Sequence, residues 1–143
     1  MAEVSLLRLN VMRAYYLLIL VERSVRVLPV LVSPEAPLGP FDGVAYSFWG
    51  ALALLAALGL RYPLQMVPLL LAHLAYKTLW LLAVALPLWL AGARFDPLMA
   101  SFAWAMAIGV ALDLIVIPWG HALAHYVRKP ADPWRRAGRD GVR

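Results

Sequence analysis

The sequence predicts an all-helical membrane protein, a single domain of four antiparallel transmembrane helices packed as a bundle. Three observations predict it. Apolar runs of about twenty residues recur along the chain, the length that crosses a bilayer core. Hydrophobic residues make up 64% of the 143 and charged residues only 15%, too few to cover a water-soluble domain of this size. The basic residues gather at segment ends and in the tail. The net charge of +5 therefore reads as a topology signal, and no nucleic-acid partner is expected.

The first span is expected over residues 11–32. AYYLLILV is apolar, but Glu22, Arg23, Ser24 and Arg26 interrupt before VLPVLV resumes. Two readings are open: one spanning helix with charges near its centre, or a shorter helix ending near Val21 and followed by an interfacial piece. Arg8, Tyr15, Glu22 and Arg26 fall on one helical stripe, and Glu22 precedes Arg26 by four residues, the favourable order for an ion pair. That neutralisation favours the spanning helix. The opening MAEVSLLRLNVMR starts with an acid and lacks a small-residue cleavage site, so no cleavable leader is expected.

SPEAPLGPFDG, residues 33–43, is a connector, because its prolines, glycines and acids cannot continue a helix in lipid. The second span follows over 44–60. Gly43, Ser47, Gly50, Ala53 and Ala57 share one of its faces, a small-residue surface suited to close helix packing. Arg61 turns the chain into a third span over 63–90, with Pro63 in its first turn and Pro68 and Pro87 kinking or bounding it. GARFDP makes the next loop, and Asp96-Pro97 opens a fourth span over 98–119 that contains Asp113. Residues 1–127 thus form the membrane domain and 128–143 a basic tail.

Four spans put both termini on one side. Arg8, Arg13, Arg61, Arg128, Lys129, Arg135, Arg136, Arg139 and Arg143 collect there, whereas the other side has the acidic connector and little besides Arg94. The positive-inside bias makes that side cytoplasmic, and a bacterial inner membrane is the expected location. Arg128, Lys129, Trp134, Arg135 and Arg136 suit the headgroup zone, where aromatic rings anchor and arginine meets anionic lipid.

Chemistry is expected at the intramembrane charges. His73 and Lys77 stand one turn apart near the middle of the third span, and Tyr76, Trp80 and Gln65 fall on the same broad face. A charge at that depth costs about 2.5–3.5 kcal/mol on insertion scales, so it faces a partner or a polar cavity. Asp113 is the expected partner. Counting about 1.5 Å per residue from the span centres, it comes level with His73 and within reach of Lys77. Glu22 lies near the same depth. The expected site is a polar midplane cluster of Glu22, Arg26, His73, Tyr76, Lys77, Trp80 and Asp113, with His73 able to titrate. A purely structural lysine, paired to one carboxylate, is the alternative.

His121 and His125 have the i, i+4 spacing of two metal ligands on one helix, yet residues 122–124 supply no HExxH glutamate. His121 also falls roughly 10 Å closer to the cytoplasm than His73, which suits a bis-histidine haem poorly. No metal and no cofactor are expected. The chain has no cysteine, which removes disulfides, thiolate metal sites and dithiol redox chemistry. It also has no phosphate-binding glycine loop and no GxSxG elbow. Without a visible nucleophile–base set, no enzyme is expected.

The run PLLLAHLAYKTLWLLAVALPLW, with IPWG and YVRKPADPWR, resembles small four-span proteins of bacterial inner membranes that have no assigned activity. The resemblance covers the C-terminal two thirds; His73 and the ERS insertion of the first span depart from it. It implies topology and no chemistry. The expected function is therefore a membrane protein that binds or passes a small solute, a proton or a lipid headgroup through its polar cluster. Four thin helices enclose little volume, so a transport path calls for a homo-oligomer. The competing expectation is an accessory subunit of a larger membrane complex, in which the same charges fix helix packing or hold a partner.

Overall fold

The computed structural model describes residues 4–33, 35 and 37–131. Among these, all regular structure is helical and no strand occurs. Helix α1 spans Leu6–Val32, α2 Pro40–Arg61, α3 Val67–Leu90 and α4 Pro97–Val116; a short α5, Trp119–Leu123, runs on into a π-helical turn, Ala124–Arg128. Three of them, α2, α3 and α4, are long and apolar enough to cross a membrane. Less than a third of each apolar window is buried inside the protein, so most of that surface faces outward, as lipid-facing helices require.

Local chemistry sets the helix ends. Ser5 caps α1 by accepting the Arg8 backbone N–H, and the helix then continues unbroken past Glu22 and Arg26 to Val32. The helix is continuous, as the favoured reading expects, and the alternative of a break near Val21 does not occur; Glu22 pairs along the helix with Arg26 at 2.9 Å. Pro40 and Pro97 occupy the first turns of α2 and α4, where a missing N–H costs nothing. Asp96 caps α4, its Oδ1 accepting the Met99 N–H at 2.7 Å.

Several expected boundaries shift. The third span starts at Val67 instead of residue 63: Pro63 lies in the preceding turn and Pro68 takes the first helical turn. Gln65 is consequently exposed in that turn and does not join the polar face of His73. The fourth span ends at Val116, three residues early, because Pro118 forces Ile117 into extended backbone. Within α3 the residues Leu81–Ala85 form a π-helical turn just before Pro87, with the Leu86 N–H reaching back to the Leu81 carbonyl. This wider turn accommodates a proline inside a continuous helix.

Helices α1 and α2 pack along one another, as do α3 and α4, and fewer contacts join the two pairs. Tyr16 meets Gly59 and Val27 meets Gly50, so α1 and α2 run in opposite directions. A Cβ at Gly59 would lie 2.5 Å from the Tyr16 ring, so only glycine admits that ring. The buried stripe of α2 is accordingly Leu52, Ala53, Ala56 and Gly59, and Ser47 and Ala57 of the expected small-residue face are exposed. The requirement to seat an aromatic ring has rotated the helix toward Gly59. The packed core includes Met12, Tyr16, Leu52, Ala56, Leu70 and Ile117 and lies toward the end of the helices where α1 begins and α4 ends. The opposite half is less densely filled and contains the site.

Candidate functional site

At the boundary between these halves sits a buried triad. Asp113, with no solvent exposure, accepts the Lys77 ammonium on Oδ2 at 2.8 Å and the Tyr15 hydroxyl on Oδ1 at 2.7 Å. Both carboxylate oxygens are thus engaged. The Lys77 stem lies over Gly109, where an added Cβ would come within 2.9 Å of Cδ and Cε. That glycine gives α3 and α4 the close approach the ion pair needs.

A cavity of about 600 Å³ opens beside the triad, between α1, α3 and α4, with Tyr46 and Trp49 of α2 at its edge. Drug-sized ligands occupy volumes of this order. Its polar wall comprises Glu22, Arg23 and Arg26 on α1 and His73 and Lys77 on α3; Leu98, Phe102, Met106 and Leu112 of α4 supply an apolar wall. Arg23 is held firmly. Its Nη2 donates to the Tyr76 hydroxyl at 2.6 Å, and its guanidinium lies 5.3 Å from the Trp49 ring centre. Its Nε lies 3.2 Å from Glu22, close enough for an ion pair but not aligned for a hydrogen bond. Glu22 thereby bridges Arg23 and Arg26.

His73 is different. It is 2% exposed and lines the cavity, yet among the described residues no group hydrogen-bonds either ring nitrogen. Its ring stands at right angles to that of Tyr76, ring centres 5.3 Å apart. Buried polar atoms are almost always paired, and leaving one bare costs about 1–3 kcal/mol.

The other expected residues fall as follows. Tyr76 joins the site through Arg23. Trp80 packs against Phe102, ring centres 6.3 Å apart, and does not line the cavity. His121 and His125 stack face to face, 5.5 Å apart, well away from it, and no group of three potential metal ligands occurs among the described residues. Arg128 and Lys129 are exposed; Trp134, Arg135 and Arg136 lie outside the described residues. Tyr15 and Arg23 belong to the site without having been expected there. The signal for Arg23 was its position on the stripe of Met12, Tyr16, Ile19 and Val27, all buried: a cation in that row must meet something inside. No family model, curated protein or solved structure matches the chain.

Proposed function

We propose that this chain is an integral protein of a bacterial inner membrane, threaded as a four-span antiparallel bundle with both termini cytoplasmic, and that its cavity binds a small ligand. Helix α1 supports the fourth span: 27 residues reach about 40 Å, more than the bilayer core, and its central charges are mutually paired. Arg8, Arg13, Arg61, Arg128 and Lys129 at one end, against Glu35, Asp42 and Asp96 with Arg94 at the other, support the orientation. The observation that carries the ligand is His73, buried against the cavity with both nitrogens unpartnered. In this reading Lys77 and Asp113 position helices, and His73 with the arginines meets the ligand, to hold it or pass it on. A path across the membrane would need more than one copy of so thin a bundle.

The saturated Tyr15–Asp113–Lys77 contact favours a second reading, an accessory subunit whose buried charges only fix packing. Native mass spectrometry of protein extracted in a mild non-ionic detergent distinguishes them. Ligand binding predicts an added small-molecule mass that His73→Phe releases while the protein stays folded. A protein that carries and takes up nothing, with a host phenotype indifferent to His73→Phe, would establish the accessory reading instead.

A further inference from the structure

The two walls of the cavity differ in kind, and together they define what fits. Counted with the carboxylate behind Lys77, the polar wall places Arg23, Arg26 and Lys77 against Glu22 and Asp113. Three cations face two acids, which leaves one positive charge unmatched. Among apolar surroundings such a surplus is costly, and a single negative charge is its complement. The guanidiniums also have donors left. Arg26 commits Nε to Glu22, and with its side chain 74% exposed it presents the rest of its fork at the cavity's mouth. Planar guanidinium matches a carboxylate or phosphate group two bonds at a time. His73 also lines the cavity, from α3, with both ring nitrogens buried.

The facing wall is α4, apolar from Leu98 to Leu112 except for Ser101, whose hydroxyl donates to the Leu98 carbonyl at 2.8 Å. The hydrogen bonds that join α1 to α4 all lie at Arg8 and Tyr15, on the terminal side of the cavity. The cavity meets the surface where Arg26 and the apolar side chains of Leu18, Leu98 and Ile108, all exposed, line it. Its rim therefore carries a cation among hydrocarbon.

Resting on the ligand-binding reading above, we infer that the ligand is a singly charged anionic amphiphile. Its carboxylate or phosphate headgroup lies between Arg23, Arg26 and His73, and its chain lies along α4. A free fatty acid and an acidic bilayer lipid share this chemistry. The charges act in opposite senses, which makes the inference testable by sign. Removing Glu22 raises the positive surplus, and removing Arg26 cancels it.

The test uses the full chain in nanodiscs of zwitterionic phosphatidylcholine, titrated with palmitate, hexadecanol or hexadecylamine and followed by Trp fluorescence, since Trp49 lines the cavity. Palmitate should bind about tenfold more tightly than hexadecanol, the worth of one charge-assisted hydrogen bond. Glu22→Gln should tighten palmitate binding severalfold. Arg26→Gln, a change at an exposed side chain that leaves the fold intact, should bring palmitate down to the level of hexadecanol. Displacement of palmitate by phosphatidylglycerol built into the nanodiscs would identify the bilayer lipid as the source, and failure to displace it the free acid. Equal binding of palmitate and hexadecanol, or tighter binding of hexadecylamine, would overturn the anionic assignment while leaving a ligand site in place. If none of the three binds, the amphiphile is wrong, and the added mass lost from His73→Phe separately decides whether any ligand binds.

Discussion

Asp113 and His73 sit on facing helices and show the two ways a polar residue persists inside an apolar bundle. Asp113 has both oxygens engaged, so removing one partner exposes the other. Lys77→Met alone should destabilise by about 3–5 kcal/mol, the usual cost of a bare buried charge. Tyr15→Phe should cost less, about 1.5–3 kcal/mol for one hydrogen bond to a charged group. The triple replacement Tyr15→Phe, Lys77→Met and Asp113→Leu should return close to wild type, because well-packed hydrophobes often substitute for a buried pair. Denaturant unfolding in detergent measures all three. His73 predicts the reverse sign. With no partner to lose, His73→Phe should stabilise the ligand-free protein by about 1–3 kcal/mol while abolishing binding. The Lys77–Asp113 contact is legible in the sequence because helical rise fixes depth in antiparallel spans. The part of Tyr15 is not, because an aromatic residue in an apolar helix shows no sign of where its hydroxyl points.

At the scale of helices, two glycines set how closely neighbours approach, and they should respond differently. Gly59 faces the rigid ring of Tyr16, whose hydroxyl is also fixed by donation to the Pro63 carbonyl at 3.0 Å. Gly59→Ala should therefore cost about 1–3 kcal/mol, since the ring cannot yield without losing that bond. Gly109 faces the flexible end of Lys77, so Gly109→Ala should cost less, as the lysine can swing aside; thermal unfolding of both variants gives the order. Helix extents are largely legible, because apolar length and cap residues such as Ser5 and Asp96 are local signals. Prolines account for both exceptions: Pro118 ends α4 early, and two prolines compete to open α3. The sequence holds Pro63 and Pro68 five residues apart, and only packing decides which opens α3. Likewise the face of α2 that is buried is set by Tyr16 on another helix and not by α2's own small residues.

For the whole molecule, the proposed threading predicts accessibility. The chain contains no cysteine, so single replacements report position without background. Glu35→Cys should react with a membrane-impermeant maleimide added to intact cells, and Ala131→Cys should react only after the membrane is opened. Labelling of Ala131→Cys in intact cells would reverse the orientation and put the cavity mouth on the cytoplasmic face. The division into a packed half and a half with a cavity is not set by hydropathy alone. It follows from where large side chains meet: Tyr16, Met12 and Leu70 fill one end, and Glu22, Arg23 and Arg26 of α1 line the cavity at the other.

The central claim is that His73 contacts a ligand, and nitrogen NMR of the histidine rings tests it directly. The chain has three histidines, and His73→Phe identifies the His73 signals by their loss. On addition of palmitate, or of whatever molecule the mass spectrum reveals, the His73 ring nitrogens should shift strongly while those of His121 and His125 stay in place. Ring nitrogens of His73 that do not move when a ligand is bound would contradict the account.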